Sequence, residues 1–145
     1  MKQWNNLTEK ERIFRWGEFR DSLKPLSEND RLIKLAQFFQ SVPIASRQID
    51  YYTSESWPTP WEILHYGQCC PSSISLLMAY TLHLIGEEDF KILLVDDSTD
   101  LYLVPLVNDT HILNYILGEV SRFKTIENEI EVKHVYKATD LKDIY

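Results

Sequence analysis

The run "CPSSISLLMAYTLHLIG", residues 70–86, constrains this chain more than any other stretch. Proline is tolerated in the first turn of a helix, where its missing N–H costs no hydrogen bond, and glycine suits a helix exit. The roughly 15 residues between are apolar on most faces, the pattern of a helix enclosed by other elements rather than lying on a surface. After Gly86 the period changes. "FKILLVDD", "LYLVPLV", "HILNYIL" and "EIEVKHVYK" are short β-rich runs, separated by "DSTD", "NDT" and the longer "GEVSRFKTIEN". Helices followed by strands predict an α+β fold: a helical amino-terminal half, with a buried cysteine-bearing helix packed on an antiparallel sheet of about four strands. Pro105 predicts that the second strand is an edge, or bulged, at that point.

Upstream, "LTEKERIFRWGEFRDSL" places Thr8 and Glu11 in capping-box spacing, with Ile13, Phe14, Trp16 and Phe19 mostly on one face. "SENDRLIKLAQFFQSV" begins at a Ser27 cap and carries the apolar stripe Leu32, Leu35, Ala36 and Phe39. "IASRQIDYYTSES" reads as irregular. A short helix follows, capped by Thr59 with Glu62, and Gly67 suits its exit. With 145 residues and no repeat or linker, the chain reads as one domain over 1–145, of which 1–50 is the amino-terminal helical part.

A net charge of −7 is the wrong sign for nucleic-acid binding, which needs a basic footprint. No apolar run approaches the roughly 20 residues of a membrane helix, and "MKQWNNLTEKERIFRWGEF" lacks the apolar segment of a secretory signal. The expectation is therefore a cytoplasmic protein with no nucleic-acid or membrane partner. Cys69 and Cys70 are the only cysteines, and vicinal residues bridge poorly because their Cα atoms are only about 3.8 Å apart.

Cys70 precedes the proline and is placed to cap the buried helix; Cys69 lies one residue earlier in the loop. A helix amino terminus carries partial positive charge and free N–H groups, which favours a thiolate. A nucleophile also needs a histidine within hydrogen-bond reach and a third group to orient it. The competing reading is a small buried apolar cysteine.

"SWPTPWEILHYGQCCPSSISLLMAYTLHLIG", followed by "FKILLVDD" and "LYLVPLVNDTHILNY", resembles the core of the transglutaminase-like cysteine peptidase superfamily. In its bacterial branch a W-x-T/S-P-x-E-x-L stretch leads into G-x-G-D-C-E-D, then a helix ending in L-G and strands bearing a histidine and an aspartate. Trp57, Pro60, Glu62, Leu64 and Gly67 match the lead-in, and Cys70 falls on the nucleophile. The resemblance spans about residues 56–116 and implies a papain-like fold. It also implies departures. Gln68-Cys69 and Pro71-Ser72 replace the acidic flanks of the cysteine. The histidine position falls on Leu101 or Tyr102, and the orienting aspartate on Asn114. A phenol titrating near pH 10 is a poor base at neutral pH, so Cys70, Tyr102 and Asn114 read as a vestigial triad in a degenerate member.

Among the other histidines, His83 lies about 20 Å along the helix from Cys70, too far to act as a base. His65 and His111 are the candidates for a relocated base, and His134 falls in the last strand. H-x3-C-C matches no structural zinc pattern, "VDDSTD" lacks the calcium-loop ligands, and no phosphate-binding glycine motif is present, so no metal or cofactor is expected. Trp57, Trp61, Tyr66 and Cys69, with Tyr51 and Tyr52, crowd the approach to Cys70, either lining a binding groove or, for the tryptophans, wedging the core.

The resulting expectation is a non-catalytic transglutaminase-like module that binds a protein partner or serves in assembly. Small chains of this appearance also occur in tailed phages, which implies a virion-associated setting. The alternative is a cysteine hydrolase or acyltransferase acting on a peptide or glutamine-like amide through Cys70. A third reading is an adaptor or inhibitor acting through its acidic surface.

Overall fold

A computed structural model describes residues 3–142 and 144. Its α-helices are α1 (Glu9–Leu23), α2 (Glu28–Phe38), α3 (Pro60–His65), α4 (Pro71–Leu84) and α5 (Phe123–Ile126). Its strands are β1 (Phe90–Asp96), β2 (Leu101–Val107), β3 (His111–Leu113), β4 (Val120–Arg122) and β5 (Glu131–Lys137). They form one antiparallel sheet in the order β4-β3-β2-β1-β5.

The helix starts follow from local chemistry. Thr8 with Glu11 and Thr59 with Glu62 form reciprocal capping boxes, and Ser27 accepts from the Asp30 N–H. α4 is buried along nearly its whole length, from Ser72 to Leu82, as its apolar sequence requires. It ends where Gly86 adopts φ +89° and the Glu87 N–H returns to the Leu82 carbonyl, a left-handed exit that glycine reaches without strain. Gly67 has another reason: a Cβ there would lie 3.0 Å from the Asn5 backbone. On α1, Trp16 is buried and Ile13 and Phe19 pack at the core margin, but Phe14 is 68% exposed because it falls outside the arc facing the core.

α4 lies on the sheet face carrying Ile92, Leu94, Leu103 and Val107. The opposite face carries Leu93, Val95, Val104, Leu106 and Ile112, covered by Ile126 together with Tyr102, Tyr115, Phe123 and Ile130. The expected four strands are therefore five. "GEVSRFKTIEN" is not a plain loop: it contributes β4 and α5, and Ile126 closes the second face. At Pro105, β2 is flanked on one side only: it pairs with Ile92 of β1, while β3 reaches just Leu106 and Val107. An interior strand thus tolerates proline by being locally an edge.

One charged group ties the amino-terminal half to the segment leading into Cys70. Arg12 is buried and donates from Nε to the Leu64 carbonyl at 2.7 Å and from Nη2 to the His65 carbonyl at 2.9 Å. Its Nη1 serves the carbonyls of Trp4 and Leu7. The guanidinium thereby satisfies the carboxyl end of α3, whose last carbonyls have no partner within so short a helix. Arg12→Met keeps the bulk and removes these bonds. It is expected to lower unfolding free energy by about 3 kcal/mol, read from urea denaturation curves.

Candidate active site

The loop before α4 is fixed by backbone pairing. The Cys69 N–H donates to the Pro43 carbonyl and the Ala45 N–H to the Cys69 carbonyl, both at 3.0 Å, making a parallel bridge between Ile44 and Cys69. Segment 43–47 is thereby laid beside the start of α4. Cys70 caps the helix: its Sγ accepts from the Ser73 N–H at 3.4 Å and lies 3.1 Å from Ser73 Oγ. The residue is only 5% exposed, yet it lines a cavity of about 530 Å³, the scale of a side-chain or small-ligand pocket.

Tyr102 and Asn114 line the same cavity, so the three positions singled out in the sequence are brought together. Asn114 sits just after β3 at φ +62°, a conformation asparagine tolerates better than most residues. Its Nδ2 donates to the Pro71 carbonyl and to Ser75 Oγ, each at 2.9 Å, so its amide holds the first turn of α4. Ser72 Oγ adds a second tie, accepting from the Leu103 N–H at 3.1 Å. Burial first, then the charge of Asp97, raise the Tyr102 phenol above its ordinary range. The Asp97 carboxyl is held below its ordinary value by the N–H groups of Asp100 and Thr99, at 2.8 and 2.9 Å, with Tyr102 adding to them.

The four residues expected along a binding groove lie elsewhere. Trp57 is buried, donates to the Asp50 carbonyl at 3.0 Å and meets Tyr136 edge-on, as a core wedge does. Cys69 is buried and off the cavity wall; its thiol is pushed up to about 11, by burial first and by Cys70 second. Trp61, 40% exposed, and Tyr66 line a separate hollow of about 340 Å³ with His65, which is paired to Glu9 at 2.9 Å. His111 opens β3, with Nδ1 at 2.8 Å from Thr110 Oγ1, and faces a cleft shared with α2. Among the described residues no histidine lines the Cys70 cavity, and no group of three or more His, Cys, Asp or Glu is placed to hold a metal ion.

Sequence reasoning missed much of the wall: Ile44, Ser46 and Arg47 from the pinned segment, and Asp97 and Asp100 from the β1–β2 turn. The second pair was accessible in principle, because "DDSTD" directly precedes the strand carrying Tyr102. The first was not, because the bridge between Ile44 and Cys69 spans 25 positions without a periodic signal.

No protein-family model matches the chain, and no curated protein matches it. Among solved structures it is similar to LapG of Legionella pneumophila, with a TM-score of 0.74 at 18% identity over 90% of this chain and 76% of that one. The calcium-bound form of LapG gives 0.72 at 16% identity, covering 95% and 84% of the two chains. The EGTA-treated form gives 0.74 at 18%, covering 90% and 74%. The likeness is one of fold. It supports the α+β architecture, a helical amino-terminal half with the Cys70-bearing helix packed on an antiparallel sheet.

Two outcomes follow from this geometry. Asn114→Ala removes both ties to α4 and leaves a left-handed backbone to alanine; it is expected to cost about 2–3 kcal/mol in chemical denaturation. Cys69 holds its proton more tightly folded than unfolded, so its contribution to stability is complete below about pH 9 and lost as pH rises through about 11. Melting temperature is accordingly expected to fall less steeply from pH 9 to 11 in Cys69→Ala than in the parent chain.

Proposed function

We propose that this chain is a non-catalytic binding module of transglutaminase-like fold that receives a protein partner at the cavity beside Cys70. The observation that carries the reading is what occupies the wall around the thiol. Where the resemblance expects an imidazole stand Leu101 and Tyr102, a hydrocarbon side chain and a phenol made still less acidic by burial and by Asp97. Leucine has no basic group and the phenol is protonated at neutral pH, so neither accepts the thiol proton, the step on which cysteine catalysis depends. Asn114 turns its amide to the helix backbone rather than to a base. His65 and His111, the candidates for a relocated base, line other hollows.

LapG has a calcium-bound form. The acidic turn of this chain does not fit such an ion, because among the described residues no group of three or more His, Cys, Asp or Glu is placed to hold one. No step is assigned to a metal here.

The test compares the parent chain with Cys70→Ala on an unfolded protein and on glutamine-containing peptides. Equal background levels of cleavage and ammonia release in the two are expected. A product that vanishes in Cys70→Ala overturns the reading.

A further inference from the structure

The Cys70 cavity is chemically lopsided. Tyr102 is surrounded electrostatically by Asp97, Tyr115 and Asp100, and Tyr115 in turn donates to Glu129 at 2.7 Å. Tyr51 adds a third phenol ring to the lining. Beside this acidic, aromatic cluster the lining holds, among the described residues, a single cation, Arg47. Its guanidinium is stacked on the Tyr66 ring at 4.0 Å, and it also lines the hollow holding Trp61 and Tyr66. Arg47 is thus shared by both hollows and makes them neighbours along one surface.

Resting on the binding-module reading, we infer that the cavity recognises a lysine or arginine side chain presented by a peptide segment of the partner. Phenol faces attract a cation through their quadrupole, and two carboxylates beside them compensate the water the cation gives up. The aliphatic stem of such a side chain suits the apolar part of the lining, Leu101 and Ile44, while its head reaches the carboxylates. A free amine would satisfy the cluster but leave the rest of the surface unused. A peptide continues past Arg47, whose guanidinium donates to backbone carbonyls, toward Trp61 and Tyr66. The net charge of −7 also steers a basic segment toward this chain.

The test uses blocked alanine pentapeptides with lysine, glutamine or glutamate at the centre, titrated into the intact chain and followed by two-dimensional amide NMR. The lysine peptide is expected to shift Tyr102, Asn114 and Tyr115 and to bind about tenfold more tightly than the glutamine peptide. Asp97 holds its turn through its carboxylate, so the variant is made at Asp100. Asp100→Asn is expected to lower that preference about threefold, Asp97 remaining in place. Equal affinity for the three peptides, no binding of the lysine peptide, or indifference to Asp100→Asn overturns the inference. Mass spectrometry of the same samples separates this failure from that of the binding-module reading: Cys70-dependent cleavage sinks the latter and leaves the charge preference standing.

Discussion

The structure depends on how a helix buried along nearly its whole length begins inside the protein. Every α-helix starts with N–H groups that have no partner within the helix, and burying them unsatisfied costs several kcal/mol. α4 meets this demand at its own first turn: Pro71 has no N–H to satisfy, the Ser73 N–H donates to Cys70 Sγ, and the Ile74 N–H returns to the Cys70 carbonyl. Two further bonds tie that turn to the sheet, with Ser72 Oγ accepting from the Leu103 N–H of β2 and Asn114 Nδ2 donating to the Pro71 carbonyl and Ser75 Oγ. The side chains of "CPSS", which look incidental in an apolar run, thus cap the helix and anchor its start in the core. The same ties fix Cys70, Tyr102 and Asn114 around one cavity, so folding and site geometry share one set of bonds.

Much of this was legible. The helix caps were readable because a cap is a contact across three residues, and the sequence shows both partners. α4 and the β1–β2–β3 order were readable because burial imposes composition on every residue of an enclosed element. The placement of Tyr102 and Asn114 opposite Cys70 followed the spacing of the resemblance, not any local rule. What escaped was set by contacts between distant residues. Ile126 closes a sheet face from within a stretch that looks like polar loop, and segment 43–47 joins the site through backbone bonds to Cys69 that no side-chain pattern announces. Trp57 and Trp61 show the limit from the other side. They are four residues apart in one motif, yet one is a core wedge and the other is exposed.

Electrostatics divide the molecule in the same way. Arg12 is a buried cation held by four backbone carbonyls beneath the amino-terminal half. Arg47 is a cation at the surface, resting on an aromatic ring between two hollows. The first holds the carboxyl end of α3 and, through it, the approach to Cys69. The second is exposed and free to meet another molecule. One cation is thus built into the scaffold, while the other stands at the surface beside a formed cavity.

The polar groups at the three positions are internally committed. Tyr102 lies within electrostatic reach of Asp97, a carboxylate that also organises the β1–β2 turn. The Asn114 amide is engaged by Pro71 and Ser75, the contacts that tie the first turn of α4 to the sheet. A substitution at either position therefore disturbs the turn or the helix start together with the cavity wall. Groups at all three positions thus stabilise the fold as well as shape the cavity, which explains why the cavity is formed before anything enters it. The rest of its wall carries the phenols of Tyr51 and Tyr115 and the carboxylate of Asp100.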